Sequence, residues 1–311
     1  MNRVVALVGA TATGKSGVAL AVARRTGAEI VNADALQVYR GLDIGTAKPT
    51  AAERAQVRHH LVDILDPVER FSAGEFARRA RESLAEIAAR GRPALLVGGS
   101  GLYLRALWGG LAAIPAVVPE VRDELFARLA REGLPSLRAE LLRRDESTAR
   151  RLGENDAQRI VRALAVAIST GRPLSAWHAD APLATAPLGM RRIGLTLPRA
   201  VLYDRIAERV QQMVARGWPA EVRRLLDAGV PRDAPALQAI GYSDWIRHFD
   251  GETDLRETVA AVVRATRRYA KRQETWFRRE PGVEWRDASA AVELANELAN
   301  ELAPSTQGEA R

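Results

Sequence analysis

The 311-residue chain has no cysteine, which excludes disulfides, thiolate metal sites and cysteine nucleophiles. Histidine is scarce: there are four, of which His59 and His60 are adjacent and so point to different faces of any regular element, while His178 and His248 stand alone. A histidine metal centre is therefore not expected. Long hydrophobic runs are missing too; Pro93–Val97 is among the longest and falls far short of the ~20 residues that span a bilayer. Residues 1–8 form no separate signal peptide ahead of the first motif, so a soluble, cytoplasmic chain with no membrane partner is expected. Lysine is the scarcest cation: of 46 basic residues only Lys15, Lys48 and Lys271 are lysine. Arginine is the default cation, and each lysine invites its own explanation, because ammonium and guanidinium meet phosphate differently. What is abundant is positive charge, a net +8, with 47% hydrophobic residues. That balance describes an enzyme-sized globular protein with an anionic partner, either nucleic acid or a phosphorylated substrate.

Along the chain, Arg3–Val8 reads as a buried strand, followed by a glycine-punctuated loop and a helix over Ser16–Arg25. Further strands are expected at Glu29–Asn32, His60–Leu65 and Ala94–Val97, with a helix over Ala73–Ala89. Strands alternating with helices imply an α/β fold with a parallel sheet covered on both faces. After Leu111 two prolines in Ile114–Pro119 mark a break, and only helical patterns follow to Trp177; Asn155 or Asp156 caps one of these helices and Gly171 ends it. A second break, Ala179–Gly189, is rich in alanine and proline. The pattern predicts a helical insertion at 114–189 within a core of 1–113 and 190–311. Arg192–Leu197 returns to the core as a strand, helices run on to Phe277, and Val292–Leu302 forms a last amphipathic helix.

Gly9-Ala10-Thr11-Ala12-Thr13-Gly14-Lys15-Ser16 matches G-x-x-x-x-G-K-[ST] between a strand and a helix. Its glycines let the backbone wrap an anion, its amides and the helix N-terminus supply positive potential, Lys15 adds a point charge and Ser16 can ligate Mg²⁺. The expected ligand is a diphosphate or triphosphate. Asp34 follows Glu29–Asn32, and in a parallel sheet the residue just past a strand's C-terminal end lies at the ligand-binding edge. Three roles stay open for it: holding Mg²⁺ through water, acting as general base, or capping a turn. The polar-studded segment that follows, through Ile44–Pro49 with Lys48, is the kind of long loop that binds something.

Taken together, several ordered stretches resemble the tRNA dimethylallyltransferase (tRNA isopentenyltransferase) family. They are the phosphate loop, Asp34–Tyr39, Ile44–Pro49, His59–Ile64, Phe71–Ala73, Val97–Tyr103, Asn155–Leu164, Ala239–Tyr242, and Thr266 to Trp276. All three lysines fall inside them. The resemblance implies a core related to phosphate-loop NTPases and kinases, with the insertion gripping the anticodon stem-loop. It implies transfer of a dimethylallyl group from dimethylallyl diphosphate, with Mg²⁺, to the N6 amine of the adenosine 3′ of the anticodon in tRNA, by a monomeric chain. Carried over by position, Asp34, Thr11, Ser100 and Arg209 surround the reacting centre, and Gly9 to Ser16 bind the diphosphate. Asp34, Ala35, Leu36, Gln37, Ser100, Arg122, Gln158, Arg159, Ile160, Val161, Arg162, Gln238, Ala239, Ile240, Gly241, Tyr242, Ser243, Lys271, Arg272, Gln273 and Trp276 would meet tRNA. Ala10 stands where the family usually has proline, Ala35 where it has serine, Ala165 where glutamate is frequent, and Ser100 where threonine is common. Only the lost hydroxyl at Ala35 touches the active-site stretch.

Arg256–Glu280 carries eight basic and three acidic residues, a local excess of +5. Arg264, Arg268, Lys271 and Arg272 recur at helical spacing opposite Val259, Val262, Val263 and Thr266, giving a basic face for RNA. The competing reading is a small-molecule or nucleoside kinase. Against it, Leu95–Val97 runs into Gly98-Gly99 rather than into a second metal-binding aspartate. A GTPase-like switch would need an Asn-Lys-x-Asp guanine-reading motif, and none is evident.

Overall fold

The computed structural model describes residues 3–110, 112, 114–180 and 189–303. The chain divides into two compact units, Met1–Leu107 with Leu188–Arg311, and Trp108–Pro187. In chain order the elements are β1 (Val4–Gly9), α1 (Lys15–Thr26), β2 (Glu29–Asn32), α2 (Ala51–Gln56), β3 (His59–His60), α3 (Ala73–Ala89), β4 (Ala94–Gly98) and α4 (Gly101–Trp108). The second unit contributes α5 (Pro119–Glu132), α6 (Leu134–Arg144), α7 (Glu146–Arg151), α8 (Ala157–Thr170) and α9 (Leu174–Ala179). The first unit resumes with β5 (Arg191–Thr196), α10 (Arg199–Ala215), α11 (Trp218–Asp227), α12 (Tyr242–Phe249), α13 (Leu255–Arg278), β6 (Val283–Asp287) and α14 (Ala291–Leu302).

The first unit is built on a six-stranded sheet of order β3-β2-β4-β1-β5-β6 in which every pair is parallel. β1 and β4 are nearly continuous apolar runs, as strands buried on both faces must be, whereas β2 carries Glu29 and Asn32 at its ends. One core cluster packs Val5, Leu7 and Leu95 against Val18 and Val22 of α1 and Leu294 and Leu298 of α14. A second gathers Val38 and Leu42 with Trp218, Tyr242, Trp245 and Val262 from α11, α12 and α13. Because the sheet is parallel, the loops after β1, β2 and β4, three adjacent strands, open at one edge. Those loops carry the phosphate motif, Asp34 and Ser100.

The expected strand over His60–Leu65 shrinks to His59–His60. Leu61 (φ 60°) and Asp63 (φ 57°) adopt the left-handed conformation, which ends extended backbone at once. Asp63 is held there by Lys48 Nζ and Arg54 Nη1, each at 2.6 Å, and Leu65 rejoins through a single bridge to Tyr39. Three elements escaped the sequence reading, one of them α4 directly after β4. α2 is a short helix closed by a capping box between Thr50 and Glu53, and β6 is an edge strand beside β5. In β6 the alternation Val283, Trp285 inward against Glu284, Arg286 outward was legible after Pro281-Gly282.

Among the described residues the elements of the second unit are all helices, with Leu125, Leu137, Leu141, Ile160, Val161 and Leu164 at its centre. Asp156 accepts the Arg159 amide to cap α8, and Gly171 ends it in the left-handed conformation. The Ala179–Gly189 break lies largely outside the described residues. Among the described residues no helix is long and apolar enough to cross a membrane.

Candidate active site

The phosphate motif forms a loop that leads directly into α1, which has no acidic residue in its first turn to oppose an anion. Thr13 Oγ1 and Lys15 Nζ both donate to the Ala10 carbonyl, at 2.9 and 2.6 Å, which ties the loop back on itself. Ala12 sits at φ 64°, a strained setting for a non-glycine residue that a functional loop can sustain. Burial, reinforced by the nearby Arg209 cation and opposed by Asp34, pushes the Lys15 ammonium down to about 7. Burial likewise lowers Arg209, with Asp34 pulling the other way. Two enclosed cations facing one carboxylate leave an excess of positive charge, which a bound polyanion would offset.

Lys15, Arg209, Asp34 and Ala12 line one open cleft of about 210 Å³, together with Ser16, Asn32, Gln37, Gly98, Gly99 and Gln273, and with Thr46 to Pro49 along one wall. Asp34 is positioned by the buried Asn32, whose Oδ1 accepts the Asp34 amide at 3.0 Å and whose Nδ2 donates to the Leu61 carbonyl at 2.9 Å. Asp34 Oδ1 accepts the Leu36 amide at 2.8 Å, a turn that fixes the carboxylate. Ser100 Oγ accepts the Ala35 amide at 2.9 Å, and Ser100 N donates to the Ala33 carbonyl at 3.2 Å. At Gly98 a Cβ would collide with that same Ala33 carbonyl, so glycine is what lets the two loops meet. Tyr269 of α13, which the sequence reading did not single out, lies beside this cluster: burial raises its phenol, and the Asp34 charge adds to the effect.

The segment 43–49 proves to be a pinned wall. Glu221 of α11, 1% exposed, accepts the amides of Asp43 and Ile44 at 2.9 and 2.6 Å and of Gly45 at 3.2 Å. Lys48 is buried between Asp43 and Asp63, both at 2.6 Å, and donates to the Tyr39 carbonyl. Its explanation is therefore a buried ammonium paired with two more exposed carboxylates that set the wall, unlike Lys15. Gln37 Nε2 donates to the Thr46 and Ala47 carbonyls from the opposite side.

The residues expected at tRNA separate by burial. Gln158, Arg159 and Arg162 are exposed on α8, while Arg122 on α5 is half-buried against Asp123. Gln238, Lys271 and Arg272 are exposed, as are Arg264 and Arg268, so the basic face of α13 is real; Ala239, Ile240 and Ser243 are half-buried. Five of the residues expected at tRNA have side chains engaged within the protein itself. Ile160 and Val161 are in the helical core. Tyr242, 0% exposed, gives its hydroxyl to Glu221 at 2.7 Å. Gln273 is buried between the loops after β1 and β4. Trp276 is half-buried, with the Arg105 guanidinium 4.4 Å over its ring, and it packs against Gly101. Missed altogether were Asn32 and Glu221, whose partners are set by the fold.

Comparison with known proteins bears on the same residues. The family model described as IPP transferase matches residues 37–280. The chain belongs to this family. It is 48% identical over 283 residues to the tRNA dimethylallyltransferase 1 of Trichlorobacter lovleyi, covering 91% of this chain and 93% of that one. The IPP transferase chain is also similar to the crystal structure of the full-length tRNA isopentenylpyrophosphate transferase from Bacillus halodurans, at TM-score 0.70 and 39% identity over 97% of each. A eukaryotic dimethylallyltransferase acting on tRNA shares the fold at TM-score 0.79 and 22% identity, covering 100% of this chain and 82% of that one.

Proposed function

We propose that this chain transfers the dimethylallyl group of dimethylallyl diphosphate to the exocyclic N6 amine of the adenosine 3′ of the anticodon in tRNA, releasing diphosphate. The observation that carries the reading is the convergence of Lys15, Arg209 and Asp34 on one cleft floored by the phosphate loop. In the step, N6 bonds to the allylic carbon, the bond from that carbon to the diphosphate oxygen breaks with its electron pair, and the N6 proton leaves. The lone pair of an adenine amine is delocalised into the ring, so a carboxylate that removes the proton contributes ~10²–10⁴-fold. Asp34, fixed by its turn, has that role. Lys15, Arg209 and the loop amides stabilise the diphosphate where its charge develops. The loop holds a leaving group and transfers no phosphoryl.

Mg²⁺ fits this donor set: the Ser16 hydroxyl is exposed at the first turn of α1 and lines the cleft, a hard oxygen of the kind that shares Mg²⁺ with substrate phosphates. Ser16 would hold the ion, which when bound neutralises diphosphate charge. The exposed basic face of α13 and the helices of 114–189 are assigned to the anticodon stem-loop, whose contacts offset the few kcal/mol of extruding the target base. We assign the chain to the cytoplasm, acting as a monomer.

The test is incubation with dimethylallyl diphosphate, Mg²⁺ and unmodified tRNA, then nucleoside mass spectrometry. Prenylated adenosine without ATP is expected; ATP consumption in the absence of tRNA would favour the kinase alternative instead.

A further inference from the structure

We infer that Gln273 is a positioning residue which joins the two loops framing the reacting centre, and that it serves the prenyl donor rather than the RNA. The inference rests on the transferase reading above. Gln273 reaches in from the C-terminal part of α13 and is 5% exposed. Its Oε1 accepts the Thr11 amide at 2.9 Å, and its Nε2 donates to the Gly99 carbonyl at 2.9 Å. Thr11 belongs to the phosphate loop after β1, and Gly99 precedes Ser100 in the loop after β4. One side-chain amide therefore sets the spacing between the two candidate hydroxyls, Thr11 and Ser100.

The chemistry of the position is restrictive. One partner is a donor and the other an acceptor, so the side chain must offer one of each, which glutamine's primary amide does at this length without a change of protonation state. The orientation of that amide is dictated by its partners: reversed, N–H would face N–H and oxygen would face oxygen. A Cβ at Gly99 would collide with Nε2, so the absence of a side chain there admits the contact. With its amide committed to Gln273, Thr11 keeps its hydroxyl for the cleft it lines. Lys271 and Arg272, the residues just before, are exposed. Within this short stretch α13 thus presents charge outward and the loop tie inward.

The experiment compares Gln273→Met and Gln273→Glu with the wild-type chain. Met keeps the length and drops both bonds without adding charge; Glu keeps the acceptor for Thr11 but sets oxygen against the Gly99 carbonyl. Both are read by thermal unfolding, tRNA binding, calorimetry with inorganic diphosphate, and single-turnover transfer at varied dimethylallyl diphosphate. Diphosphate affinity and transfer rate are expected to fall about tenfold or more in both, on the scale of a buried hydrogen bond lost, with tRNA affinity within about twofold. Gly99→Ala, which presses on Nε2 while leaving Gln273 in place, is expected to give the same donor-specific loss. Normal diphosphate affinity in folded Gln273→Met, or a tenfold loss of tRNA affinity with donor parameters intact, would overturn the inference. A wild-type chain that transfers nothing would instead overturn the transferase reading, while the diphosphate calorimetry still reads Gln273.

Discussion

Glu221 and Tyr242 share a buried hydrogen bond of 2.7 Å between carboxylate and phenol, and the same carboxylate gathers three amides of the cleft wall. The pair ties α11 and α12 to a loop far away in sequence. Glu221→Gln places an NH₂ among donors and is expected to cost about 2–5 kcal/mol of stability. Tyr242→Phe removes one bond of four and is expected to cost about 1–2 kcal/mol. Urea unfolding of both variants checks the order; a Glu221→Gln protein as stable as wild type would remove the clamp from the argument.

Asp34→Asn separates the roles open to this residue. The amide oxygen still accepts the Leu36 amide, so the turn survives while the base is lost. The variant is expected to fold, bind diphosphate and tRNA normally, and lose ~10²–10⁴-fold in single-turnover rate, roughly 3–5 kcal/mol of barrier. A rate restored by high Mg²⁺ would point to metal binding through water, and near-normal transfer would leave Asp34 as a turn residue only.

Lys15 makes both stability and donor binding pH-dependent. Its folded value, about 7, lies below the ~10.4 of an unfolded lysine. The unfolded chain therefore holds more protons in that window, and the unliganded protein is expected to gain stability as pH rises from about 7 toward 10. Diphosphate binding favours the charged amine, so at pH 8 it should take up protons at Lys15. Calorimetry in buffers of different ionisation enthalpy is expected to show more uptake by wild type than by Lys15→Met, and equal uptake would contradict the assignment.

The exposed face of α13 predicts steep salt dependence of tRNA binding. Replacing Arg268 or Lys271 with alanine is expected to reduce the slope of log affinity against log salt by up to about one unit each. Filter binding over a salt series measures it, and an unchanged slope would take α13 out of the RNA interface.

Much of the site was legible because its signals are local. Glycine and lysine spacing specifies the phosphate loop, since the backbone must curl around an anion within a few residues. Strand alternation with helices places Asp34 at the sheet edge, and Ser72, Asp156 and Asp254 cap their helices by bonds that reach only three residues. What the sequence by itself could not settle was which distant groups meet. Gln273 and Lys271 are two residues apart in the same basic stretch, yet one is buried among backbone amides and the other faces solvent. Only the packing of α13 against the loops after β1 and β4 separates them. Lys48 read as part of a loop that binds something and Glu221 was not singled out, because the groups that offset the burial of each charge are assembled only by the fold. The chemistry of the loop was thus written in residue order, and the tertiary structure alone decided which side chains hold it in place.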